Sequence, residues 1–139
     1  MAIMSWLGNY KISQILLKHE IEGIIVSNTT EGNREKLQST SKHQKGGLSG
    51  KPLETISNQL INTFYNLLKG KIEIIGVGGV DSGKSAYDKF LAGANFIQLY
   101  TGMIYQGPNI VEKIKKELNQ ILINEGVSNF KDIVGKKSN

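Results

Sequence analysis

Apolar positions along the chain switch repeatedly between a helical and a strand period. Ile12, Ile15 and Leu16 share one helical face, and Ile21, Gly23, Ile24, Ile25 and Val26 follow as a short β-branched run ending at Ser27–Asn28. The pattern predicts a helix near 11–20 feeding a buried strand near 21–27. Ile56, Leu60, Ile61, Phe64, Leu67 and Leu68 then recur at helical spacing, predicting a helix over 54–69 with Gly70 as its left-handed cap. Ile72, Ile74, Ile75 and Val77 form a second strand, 72–77, that opens into Gly78–Gly79. Asp81 or Ser82 caps the next helix, 83–92, which carries Ala86, Tyr87, Phe90 and Leu91 and stops at Gly93. A third strand covers 95–100. Pro108 suits the first turn of a final helix, 108–124, whose expected buried stripe is Val111, Ile114, Leu118, Ile121 and Leu122, closed by Gly126.

Strands separated by helices cannot pair through hairpins, so the alternation demands a parallel sheet built by crossovers. Their nearly continuous apolar character fits strands buried on both faces. Both a doubly wound sheet and a (βα)8 barrel meet that condition. A barrel needs about 250 residues, so in a chain of 139 residues it would be present only in part. Residues 29–52 carry no sustained period and are polar and Gly-rich, which predicts an active-site loop.

Composition narrows the chemistry. With no cysteine, disulfides and thiolate-held metals are excluded, and the two histidines, His19 and His43, lie in no metal-binding pattern and are expected at the surface. The net charge of +5 raises nucleic-acid binding as a question, but the lysines are scattered, and Glu112, Glu117 and Glu125 interleave with Lys113, Lys115 and Lys116. A solvated surface is the expectation, with no nucleic-acid partner. No apolar run approaches the roughly 20 residues of a membrane helix.

Two strand ends converge on phosphate chemistry. Gly78–Gly79 ahead of a helix start offers unhindered N–H groups to an anion, and FIQLYTG ends in Tyr100–Thr101–Gly102, adding donors and a hydroxyl. The string Gly78 to Ser85, GGVDSGKS, also matches the nucleoside-triphosphate loop GxxxxGK[ST] between a strand and a helix. That alternative requires a carboxylate at the end of a later strand to hold magnesium. The only later strand finishes in Tyr100–Thr101, so Lys84 and Ser85 are read as ordinary first-turn helix residues.

Together, IEGIIVSNTT, GGLSGKPL, IIGVGGVDSG and AGANFIQLYTGMIYQGP resemble, in order and spacing, the last three βα units of class 2 dihydroorotate dehydrogenases. The similarity runs from about Lys11 to Gly135, leaving residues 1–10 as a non-matching start before a barrel segment over 11–139. The resemblance implies an α/β fold, part of a (βα)8 TIM barrel, and an enzyme that oxidises dihydroorotate to orotate through FMN and passes electrons to a membrane quinone. It implies that Asn28 and Thr29 bind the pyrimidine, that Ser27, where the family usually has Thr, and Gly50 contact the flavin, and that Gly79, Tyr100 and Thr101 clamp the FMN phosphate. The family's base serine and a lysine near its flavin have no counterpart in this chain. The implied state is therefore a segment inactive by itself, from an interrupted gene, from a sequence truncated by an assembly error, or from a split enzyme needing its N-terminal half, with exposed edges prone to self-association. The family associates peripherally with the bacterial cytoplasmic or mitochondrial inner membrane, whereas the segment alone is expected to be soluble and cytoplasmic.

Overall fold

A computed structural model describes residues 6–32 and 34–137. Helix α1 spans Trp6–Lys18, strand β1 Gly23–Val26, helix α2 Glu54–Leu68, strand β2 Glu73–Val77, helix α3 Gly83–Leu91, strand β3 Phe96–Gln98, helix α4 Thr101–Gln106 and helix α5 Ile110–Asn124. The three strands form one parallel sheet in the order β1-β2-β3. All three expected strands and all four expected helices are present. α4 and the 3₁₀ turns at Thr40–His43, Lys51–Leu53 and Phe130–Ile133 are additional.

Each βα crossover lays its helix on one face of the sheet. Ser57, Ile61, Phe64 and Leu68 form the buried stripe of α2, and its three apolar members pack with Val26, Ile72, Ile74 and Ala94. A second cluster joins Val80 and Ala86 to Ile110 and Ile114 of α5, with Ile97 and Leu99 against it. Among the described residues no helix covers the opposite face. Register places Ile25, Ile75 and Phe96 side by side on it, and Ile25 and Phe96 remain 59% and 57% exposed. Neighbouring residues of parallel strands point to the same face, so this row is the surface that a closed barrel would enclose.

Several local expectations are corrected. The buried face of α1 is Asn9 and Ser13 with Leu16 and Leu17, while Ile12 and Ile15 are exposed. In α5 the stripe begins at Ile110, and Val111 is exposed. Pro108 precedes the helix, which Asn109 caps, so the fixed φ of proline shapes the turn rather than the first helical residue. Lys69 itself takes the left-handed C-cap of α2 at φ 52°, and Gly70 follows it. The two misplaced stripes share one cause. A short helix with many apolar positions offers two overlapping stripes, and packing selects between them.

Candidate functional site

β1 and β2, and the Leu99–Gly102 stretch after β3, open at one end of the sheet into a cleft of about 240 Å3. Ser27, Asn28 and Thr29 reach it from the end of β1, Gly50 from the long loop, Gly79 from the end of β2, and Tyr100 and Thr101 from the entry to α4. All seven residues singled out in the sequence therefore line one cavity. Ser49, Leu53, Val77, Gly78, Val80, Leu99 and Gly102 complete its wall.

The loop that delivers Gly50 is irregular but tied. Thr30 and Leu48 close it through a two-bond antiparallel bridge. Within it, the Arg34 guanidinium donates to the carbonyls of Glu31, Lys42, Gln44 and Gly46, which offsets the lack of repeating backbone bonds. A larger, open hollow of about 660 Å3 lies inside this loop among Glu31, Arg34, His43 and Lys45. None of the seven residues lines it.

Glycine at two positions is a steric requirement. Gly50 has φ +77°, and a Cβ there would come within 2.9 Å of the Thr101 side chain, in the gap where the long loop meets the start of α4. At Gly79, with φ +78°, a Cβ would lie 2.6 Å from the Glu54 Cα. The end of β2 is thus pressed directly onto the first turn of α2, and Gly79→Val would collide with that backbone rather than only block the cavity. Gly50, Gly79 and Tyr100 lie outside any helix or strand, and their N–H groups donate to no protein acceptor among the described residues. Gly79 is nevertheless buried. A buried peptide donor without a partner is costly, so this set fits an anion with several acceptor oxygens. The Thr101 hydroxyl donates to Ser49 Oγ at 3.1 Å, which adds two oxygens to the same wall.

At the rim, Lys51 bridges Glu54 at 2.7 Å and Asp81 at 3.0 Å, joining the long loop to the turn after β2. Burial favours the neutral forms of both Lys51 and Asp81, but it is outweighed by the bonds and charges of Glu54 and then Asp81 for the lysine, and by those of Lys51, with Ser82 and Ser85, for the carboxyl. Lys51 is held above its ordinary range and Asp81 below. The Lys51 charge is committed to these carboxylates, leaving the neutral backbone donors to face the cavity.

The apparent triphosphate loop is a helix cap. Ser82 accepts from the Ser85 N–H, Ser85 Oγ accepts from the Ser82 N–H, the Gly83 N–H donates to the Glu117 carboxylate at 2.6 Å, and Lys84 pairs with Asp88 on the helix surface. The Ser82, Gly83 and Ser85 N–H groups and the Lys84 ammonium, which a triphosphate would need, are thus already bonded.

Comparison with known proteins decides the family. A profile described as dihydroorotate dehydrogenase matches residues 4–122. The chain belongs to the dihydroorotate dehydrogenase family. Mouse mitochondrial dihydroorotate dehydrogenase (quinone) is 42% identical over 124 residues, covering 89% of this chain and 31% of its own length. The quinone enzyme of Haemophilus ducreyi is 47% identical over 107 residues, 77% of this chain and 32% of its own. The crystal structure of the Eimeria tenella dihydroorotate dehydrogenase in complex with ferulenol superimposes with a TM-score of 0.92 at 38% identity, over 96% of this chain and 35% of that one. The chain thus spans about a third of the length of the dihydroorotate dehydrogenases it matches, and its three parallel βα units are part of their barrel. Among the described residues no helix is long and apolar enough to cross a membrane.

Two polar residues of the site's surroundings escape a reading by apolar period alone. Ser57 and Lys89 occupy inward positions of α2 and α3 and are wholly buried. Their signal was a polar residue at an apolar-stripe position: Ser57 one turn before Ile61, and Lys89 one residue before Phe90.

Proposed function

We propose that the cleft is the FMN-phosphate site and part of the orotate site of a quinone-linked dihydroorotate dehydrogenase. The observation carrying this reading is the convergence of Ser27, Asn28, Thr29, Gly50, Gly79, Tyr100 and Thr101 on one cavity whose walls offer unbonded backbone N–H groups. Gly50, Gly79, Tyr100 and Thr101 would hold the phosphate, and Ser27 with Gly50 the flavin. Asn28 and Thr29 would orient the pyrimidine, since an amide and a hydroxyl match its carboxylate and ring amide. Asn28 Oδ1 accepts from the Thr29 N–H at 2.7 Å, which leaves its NH2 group free to donate to a carboxylate. The chemistry FMN supplies when bound is two-electron redox. In the whole enzyme this would convert dihydroorotate to orotate for pyrimidine synthesis and deliver electrons to a membrane quinone.

Residues 1–139 bind and orient but contain no side chain in the role of proton-abstracting serine. General-base catalysis needs such a group within hydrogen-bond reach of the substrate. The test titrates the purified chain with FMN and with riboflavin, following flavin fluorescence, and assays dye reduction with dihydroorotate and FMN. FMN should bind more tightly than riboflavin because only FMN offers a phosphate, and dye reduction should be absent. Equal affinity for the two flavins would remove the phosphate assignment, and turnover by the chain alone would remove the claim of inactivity.

A further inference from the structure

The Gly78–Gly79 turn presents a physical problem. Two consecutive glycines, at φ +110° and +78°, have the widest backbone freedom of any pair, yet the direction of their N–H groups determines whether an anion is held. Something outside the turn must fix them. On the helix side, Ser57 Oγ donates to the Val77 carbonyl at 2.6 Å, and a Cβ on Gly78 would touch the same serine at 3.4 Å. The peptide joining Val77 to Gly78 is planar, so holding its carbonyl toward Ser57 turns the Gly78 N–H to the opposite side.

Ser57 is in turn held by Lys89, whose Nζ donates to Ser57 Oγ at 3.1 Å and to Asn58 Oδ1 at 2.9 Å. The lysine is 0% exposed. Its stem reaches α2 by crossing β2 where that strand has no side chain: a Cβ on Gly76 would lie 2.8 Å from Lys89 Cδ. Gly76 thus clears a passage for the stem. Three elements are fitted around one cation that forms no ion pair among the described residues, and burying a charge is expensive when it serves only packing.

We propose that Lys89 is a positioning residue for the phosphate cradle, acting through Ser57 on the Val77–Gly78 peptide. With Lys89 donating to it, Ser57 Oγ must use its own hydrogen on the Val77 carbonyl, so the ammonium sets the direction of the whole relay. Lys89 touches neither flavin nor substrate. The inference rests on the reading of the cleft as a phosphate site.

The experiment compares the wild-type chain with Lys89→Met, which keeps the stem length, and Ser57→Ala, which removes only the hydroxyl. Lys84→Ala serves as a control on the same helix. FMN affinity by fluorescence and the amide 15N–1H shifts of Gly78 and Gly79 are measured well below each variant's melting temperature. Both relay variants should shift the Gly78 and Gly79 amides and weaken FMN about tenfold, roughly the loss of one buried hydrogen bond, with the control unchanged. A purely structural lysine would lower the melting temperature while leaving amide shifts and affinity at wild-type values, and that result overturns the proposal. If Lys89→Met does not fold, Ser57→Ala decides alone. If the wild type binds no FMN, the phosphate reading fails, whereas the amide shifts still report whether Lys89 and Ser57 set the turn.

Discussion

At the scale of the residue, Lys89 has a measurable energetic signature. Burial lowers its pKa from 10.5 to about 8, with the Glu54 charge acting in the opposite sense. A lysine whose folded pKa lies below its unfolded value costs stability while both states are protonated. The cost is lifted as pH rises from about 8 to 10.5, where the unfolded chain still binds the proton and the folded one does not. The full difference is about 3 kcal/mol. Thermal melts of wild type and Lys89→Met across pH 7–10 should therefore show the wild type gaining several degrees on the variant above pH 8. A pH-independent gap would mean that Lys89 titrates at its ordinary value. Gly79 gives a second lesson at this scale. Its lack of a side chain suggests a phosphate's approach, but the nearest obstacle to a Cβ is the Glu54 backbone, so loss of binding in Gly79→Val would not separate a ruined cradle from a displaced helix.

At the scale of the element, caps and periodicities explain both what the sequence made legible and what it hid. Ser82 closes a capping box with Ser85, and Ser82→Ala should cost about 1 kcal/mol in urea unfolding. An unchanged midpoint would mean that the Gly83 bond to Glu117 holds the helix start by itself. The strands and their parallel order were legible because short β-branched runs flanked by glycine admit few alternatives. That Ser27–Thr29, Gly79 and Tyr100–Thr101 would share one cleft was legible through the family resemblance, because barrel chemistry gathers at the strand ends where these residues stand. α4 was not, since Gly102 and Gly107 bracket only Met103, Ile104, Tyr105 and Gln106, too little for a period to appear. The face of α1 was misread for a physical reason: Ile12 and Ile15 look like core, but α2 packs on the Asn9–Ser13 side, and Ser13 hides its hydroxyl by donating to the Asn9 carbonyl at 2.7 Å. Period identifies a helix more readily than it identifies which neighbour the helix meets.

At the scale of the whole molecule, the helix-covered face of the sheet holds the two cores, while the other face carries the row Ile25, Ile75 and Phe96, with Ile25 and Phe96 in the open and Ile75 half-buried between them. That row has a calorimetric consequence. The heat-capacity step of unfolding measures apolar surface newly wetted, and residues wet in the native state add nothing to it. An ordinary globular domain of this length, with no such apolar row left in the open, would show a step of about 1.7–2.1 kcal/mol/K. Scanning calorimetry of this chain should return a smaller value and a correspondingly flatter stability curve, changing less between cold and warm than its size suggests. Any protein surface that sealed the row would announce itself by steepening that curve, before a single turnover is assayed.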